Sequence, residues 1–178
     1  DGKAADAQYD FSQSPLGDVE HYLDIDATPD DVFDVLIQPK KIEQWIASKA
    51  EIDPQVGGAY KIGWEPHISI KIVELEPGKS LRLSWDGETP EGKAETSVLS
   101  FTLSENDGKT RLTLVHSGFA PDQDNWGIKV GWLNFLSWIR SVAEYGEDWK
   151  PALISIEGPM PEIYSAAIRD NQDDLIFA

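Results

Sequence analysis

The sequence predicts an α+β domain: a curved antiparallel sheet around one long C-terminal helix, with two short helices after the first strand. Three observations predict it. Stretches between residues 19 and 117 alternate apolar and polar side chains, and two pairs of them are joined by links short enough to force antiparallel neighbours. "WGIKVGWLNFLSWIRSVAEYG", residues 126–146, repeats apolar side chains at helical spacing. Between the first strand and the rest, "ATPDDVFDVL" carries a full helix-start signal. A sheet with one apolar face has to be covered, and the long helix is the one large cover on offer.

Each element can be justified in order. "VEHYLDIDA" (19–27) places Val19, His21, Leu23 and Ile25 on one face of a half-buried strand. Thr28 then serves as N-cap, with Pro29 at the first helical position and acids in the first turn. Val32, Phe33, Leu36 and Ile37 form that helix's apolar stripe. Pro39, which lacks an N–H, ends it and opens "KKIEQWIA", burying Ile42, Trp45 and Ile46. From residue 50 the period becomes two, and "AYKIGW" sets Tyr60, Ile62 and Trp64 on one side. "ISIKIVEL" and "SLRLSW" are joined by "EPGK", a turn built on Pro77 and Gly78. "SVLSFTLS" and "TRLTLVH" are joined by "ENDGK", where Asp107-Gly108 signals a hairpin. Asp124 or Asn125 caps the long helix, and Gly146 marks its end. Ile128, Trp132, Phe135, Ile139 and Val142 share one face of it. Trp138 and Tyr145 lie on a flank, so the helix is too apolar to be covered on one side only.

The 178 residues suit one domain with a substantial core: a loose acidic leader over 1–17, the domain over 18–149, and an extension over 150–178 that packs on the domain or a partner. The formal charge is −17, from 32 acidic and 15 basic residues, and no basic stripe exists to displace counterions from nucleic acid. Docking on an anionic membrane is disfavoured for the same reason, and no apolar run approaches the ~18 residues needed to cross one. The absence of cysteine excludes disulfides, thiol catalysis and cysteine-ligated zinc. The sequence begins at Asp1 without Met, which points to processing or truncation, and a cytoplasmic location is expected.

"TLVHSGF" (113–119) raises the question of a catalytic pair. On a strand, His116 shares a face with Leu112 and Leu114 while Ser117 points the other way, and no G-x-S-x-G elbow occurs. His116 is therefore either satisfied by a local hydrogen bond or a polar anchor on an apolar wall. His21 is also inward by parity, but with no third ligand evident a metal site is not expected. Trp45, Trp64, Trp85 and Trp132 fall on inward faces, either as ordinary core or as the lining of a roomy pocket that leaves their N–H groups usable. "PGKS" lacks the first glycine of a phosphate loop, since Val73 stands there, and "DQDNWG" lacks calcium ligands at Trp126 and Leu133.

"DATPDDVFDVLIQPKKIEQW", "GGAY", "ELEPGKSLRLSW", "TRLTLVHSGF" and "GWLNFLSWIRSVAEYGEDW" together resemble the activator-of-Hsp90-ATPase-homologue-like branch of the START/Bet v 1-like (SRPBCC) superfamily, over roughly residues 18–149. The resemblance implies a helix-grip fold with a mostly apolar cavity between sheet and C-terminal helix, and with first and last strands as neighbours, which would set His21 across from His116. Members of that superfamily bind lipids or other hydrophobic molecules, some are cyclases or hydrolases, and the namesake co-chaperone domain binds Hsp90. Where the family pattern has a glycine after "GW", this chain reads "EPHISIK", which implies a differently shaped wall. The leading expectation is binding of a small hydrophobic or aromatic ligand by Trp45, Trp64, Trp85, Trp132 and Phe135, with His116 and Tyr60 as polar anchors and neither cofactor nor catalytic residue. A chaperone-related, stress-response role in protein interaction is the alternative, with a protein partner or second copy meeting the Trp138/Tyr145 flank. An enzyme using His116 with a cavity water comes third.

Overall fold

The computed structural model describes residues 17–63, 68–88, 94–119 and 126–146. Nearly all of the expected leader, the whole extension over 150–178, Trp64 and the capping candidates Asp124 and Asn125 lie outside the described residues. The elements run β1 (Val19–Ile25), α1 (Pro29–Ile37), α2 (Pro39–Ile42), β2 (Glu51–Ile52), β3 (Tyr60–Lys61), β4 (Ile68–Glu76), β5 (Ser80–Glu88), β6 (Ala94–Asn106), β7 (Lys109–Ser117) and α3 (Trp126–Tyr145). Five strands form one antiparallel sheet in the order β1-β7-β6-β5-β4, and β2 and β3 form a small second sheet. This is the predicted α+β architecture.

Local chemistry sets the corners. The Thr28 side chain accepts from the Asp31 N–H at 3.2 Å, and Pro29 occupies the first turn of α1. The β6–β7 hairpin turns on Asp107 and Gly108, with φ of 50° and 77°, the left-handed pair that a two-residue connection requires. α2 is shorter than the predicted "KKIEQWIA" helix: it stops at Ile42, and Glu43–Ile46 continue as a turn that still buries Trp45. On β4 the pairing with β5 shifts at Val73, which is left without a partner between Ile72↔Leu83 and Glu74↔Arg82. That bulge lets Ile70, Ile72 and Leu75 all turn inward, although the last two are an odd number of residues apart, and it bends the strand.

The core lies between the sheet's apolar face and the helices. Leu81, Leu83, Leu99, Phe101, Leu112 and Leu114 face inward from β5, β6 and β7. α3 lies against β1 and α1, burying Trp132, Leu136, Ile139 and Val142. Gly146, at φ 67°, ends α3 by donating its N–H to the Val142 carbonyl at 3.0 Å.

Candidate functional site

His116 closes the inward row of β7 and is 4 % exposed. Ser117 takes the opposite face, as alternation requires, so neighbours in sequence are not neighbours in space. The serine that His116 meets is Ser97 of β6, whose Oγ lies 2.9 Å from Nε2. On the other side of the ring, the Trp132 indole N–H donates to Nδ1 at 3.1 Å. An indole nitrogen can only donate, so Nδ1 must accept, and the proton of the neutral imidazole sits on Nε2. Nε2–H then donates to Ser97 Oγ, and the Ser97 hydroxyl donates onward to the Trp85 carbonyl at 3.3 Å. Three hydrogen bonds thus run in one direction, from α3 across β7 and β6 to β5. Burial pushes the His116 pKa down to about 4, which keeps the ring in the neutral form the chain requires.

Aromatic rings surround this chain. Trp132 contacts Trp85, Phe101 and Phe135 edge-on, with centroids 6.2, 6.0 and 5.4 Å away. Gly118, at φ 87°, breaks the alternation after β7, and Phe119, which strict alternation points outward, packs its ring 4.7 Å from His116. The train continues from Phe135 to Trp138 at 5.5 Å and to Trp45 at 6.2 Å. Trp85, Phe119, Phe135 and Trp138 are only half-buried, whereas Trp45 and Trp132 are fully enclosed.

Two expected contacts do structural work as well. The last turn of α1 leaves carbonyls without helical partners. Trp45 Nε1–H donates to the Val35 carbonyl at 2.9 Å, and the Tyr60 hydroxyl to the Leu36 carbonyl at 2.8 Å. Burial pushes the Tyr60 pKa well above its ordinary range, so the hydroxyl stays a donor. His21 does not face His116 across the ladder. Val19 does, while His21 pairs with Leu114 and places Nε2 3.1 Å from the Lys129 carbonyl of α3. Among the described residues, no group of three or more His, Cys, Asp or Glu is placed to hold a metal ion.

Ser97 and Phe119 were not among the expected site residues, although Ser97 was within reach of the sequence. A two-residue turn at Asp107-Gly108 fixes the register outward from Asn106↔Lys109, which brings Leu99 opposite His116 and Ser97 one inward position beyond. Phe119 required knowing that Gly118 leaves the strand conformation. The arrangement also bears on acid–base chemistry. A base must offer a lone pair to its nucleophile, yet the nitrogen facing Ser97 carries the proton, so His116 cannot activate Ser97 in this tautomer.

The family model for activator of Hsp90 ATPase homolog 1-like protein matches residues 26–144. The chain belongs to this family. Its fold recurs in protein MLL2253 from Mesorhizobium loti, with 29 % identity and a TM-score of 0.62 over 70 % of this chain and 95 % of that one. It recurs in the Aha1 dimer from Colwellia psychrerythraea, with 21 % identity and a TM-score of 0.63 over 73 % and 98 %. CalU16 from Micromonospora echinospora, 22 % identical with a TM-score of 0.61, aligns over 88 % of this chain and 84 % of its own. None of the curated proteins matches the chain. The Bet v 1-like α+β fold expected from the five sequence motifs is the fold of these neighbours. No helix among the described residues is long and apolar enough to cross a membrane.

Proposed function

We propose that the protein binds a small hydrophobic or aromatic molecule between the sheet and α3, against Trp85, Trp132, Phe135 and His116, with Trp45 and Tyr60 shaping the α1 end and Trp64 as a further contact. One observation carries this reading. Four large rings, Trp85, Phe119, Phe135 and Trp138, are left half-buried in one connected aromatic train around a polar chain. Incompletely covered aromatic surface gathered beside a few placed polar groups is the composition of a ligand site. The neutral His116 suits an uncharged guest, because a buried ion there would lack a counter-charge. Titration with a panel of lipid-like and aromatic compounds is expected to quench tryptophan fluorescence saturably, and native mass spectrometry of detergent-free protein to reveal a co-purified small molecule. No saturable change across a diverse panel defeats the reading.

The family membership supports a second reading, a chaperone-related interaction made by the outer side of α3. Tyr145 is 60 % exposed there, two turns along the same face from the half-buried Trp138. A partner or second copy bound through this flank predicts that Tyr145→Glu weakens the association in sedimentation, and that Hsp90 pull-down from matched buffers depends on that residue. Unchanged association in Y145E removes it.

A further inference from the structure

We infer that the Ser97 hydroxyl is the recognition point of this site, and that its guest is a flat apolar molecule bearing a hydrogen-bond acceptor, of the aryl ketone or quinone class. The inference rests on the binding reading above and adds the chemistry of the guest. In the one-way chain, the Trp132 N–H is held by a ring packed among Trp85, Phe101 and Phe135. The imidazole is held between that N–H and the Phe119 ring. The Ser97 hydroxyl turns about a single bond, so its hydrogen is the one in the chain that can be redirected. At 3.3 Å its present bond is the longest of the three, against 2.9 and 3.1 Å.

The Trp85 carbonyl does not depend on that hydrogen. β5 is paired on both sides at Trp85, with Ile70 and with Ser97, so the carbonyl lies within a continuous hydrogen-bond ladder. An acceptor arriving at ordinary O–H···O distance would take the hydrogen at little cost. His116 Nε2–H would go on donating to the serine oxygen, which polarises the hydroxyl and strengthens its bond to the guest. The neighbouring inward positions, Leu83, Leu99 and Leu114, are apolar, so nothing charged competes for the same hydrogen. The Trp132 and His116 protons are both handed toward Ser97, whose own hydrogen is the last in the chain. The wall therefore presents a donor, and a guest with only donors of its own gains no comparable bond.

Indane and 1-indanone share a skeleton and differ by one carbonyl, and calorimetric affinities for both are measured on the wild type, Ser97→Ala, Ser97→Thr and the outward-facing control Ser100→Ala. Comparing the ratio of the two affinities between proteins cancels the compounds' difference in hydration. In S97A the indanone:indane ratio is expected to fall about tenfold relative to wild type, with indane binding unchanged. S97T and S100A keep the wild-type ratio. An unchanged ratio in S97A, or indane binding wild-type protein where 1-indanone does not, overturns the inference and leaves the binding reading standing. If neither probe binds, the inference falls, and the binding reading falls with it only when the wider compound panel also gives no saturable change. Should S97A not fold, the carbonyl stretch of 1-indanone bound to wild-type protein decides: a shift to lower frequency, as in a hydrogen-bonding solvent, is expected, and an unshifted band overturns the proposal.

Discussion

Acid should weaken this fold through one histidine, and the size of the effect follows from the chain that holds it. His116 can accept from Trp132 only while Nδ1 is bare, so protonation sets two donors against each other in a buried place. Its pKa is about 4 in the folded protein against an ordinary 6.5. The unfolded chain therefore takes up this proton first as pH falls. The contribution is intact above 6.5, declines from there down through about 4, and is fully lost below both values, by about 3 kcal/mol. The many carboxylates also titrate, but they do so equally in His116→Gln, which has no proton to gain at this position. Urea denaturation followed by near-ultraviolet circular dichroism at pH 7, 5.5 and 4 isolates the effect. The stability of wild type over H116Q should shrink by about 3 kcal/mol between pH 7 and the acid end. Parallel pH curves for the two proteins would refute the neutral, doubly bonded histidine.

Trp132→Phe keeps most of the ring but deletes the N–H, so it should cost about 1–3 kcal/mol and raise the His116 pKa, read from an imidazole NMR titration. Tyr60→Phe leaves the Leu36 carbonyl without its hydroxyl donor, and a loss of about 1–2 kcal/mol in chemical denaturation is expected at essentially constant volume. Thr28→Ala removes the α1 cap and should cost about 1 kcal/mol, with Thr28→Asn restoring most of it. A heteronuclear correlation spectrum of the imidazole should show its proton on Nε2, and the Nδ1–H form would contradict the direction of the chain.

Much of the fold was legible because its determinants are local. Thr28 and Pro29 start α1, Asp107-Gly108 forms a hairpin, and alternation along "TRLTLVH" separates His116 from Ser117. The polar chain was less legible because it is assembled from β5, β6, β7 and α3, and no short window contains more than one of its members. Register counting reaches Ser97 from the turn. Nothing in the sequence announces that Trp132 points its nitrogen at His116 rather than away, since that depends on where α3 sits on the sheet. Trp45 and Tyr60 show the reverse difficulty. Their inward placement was readable, but their bonds to the end of α1 depend on how the chain folds back after Pro39.

The irregularity at Val73 has a consequence for the company this molecule keeps. β4 forms one margin of the main sheet, where unpaired peptide groups would invite a strand from another molecule. Residues 57–59 already occupy its middle: Gly57 N–H donates to the Ile72 carbonyl, Ile72 N–H to the Gly58 carbonyl, and Ala59 bridges Lys71. Just beyond, the extra residue throws the backbone out of step, and Glu74 and Glu76 add repulsion for any equally acidic newcomer. Fibril-like extension is blocked along that margin.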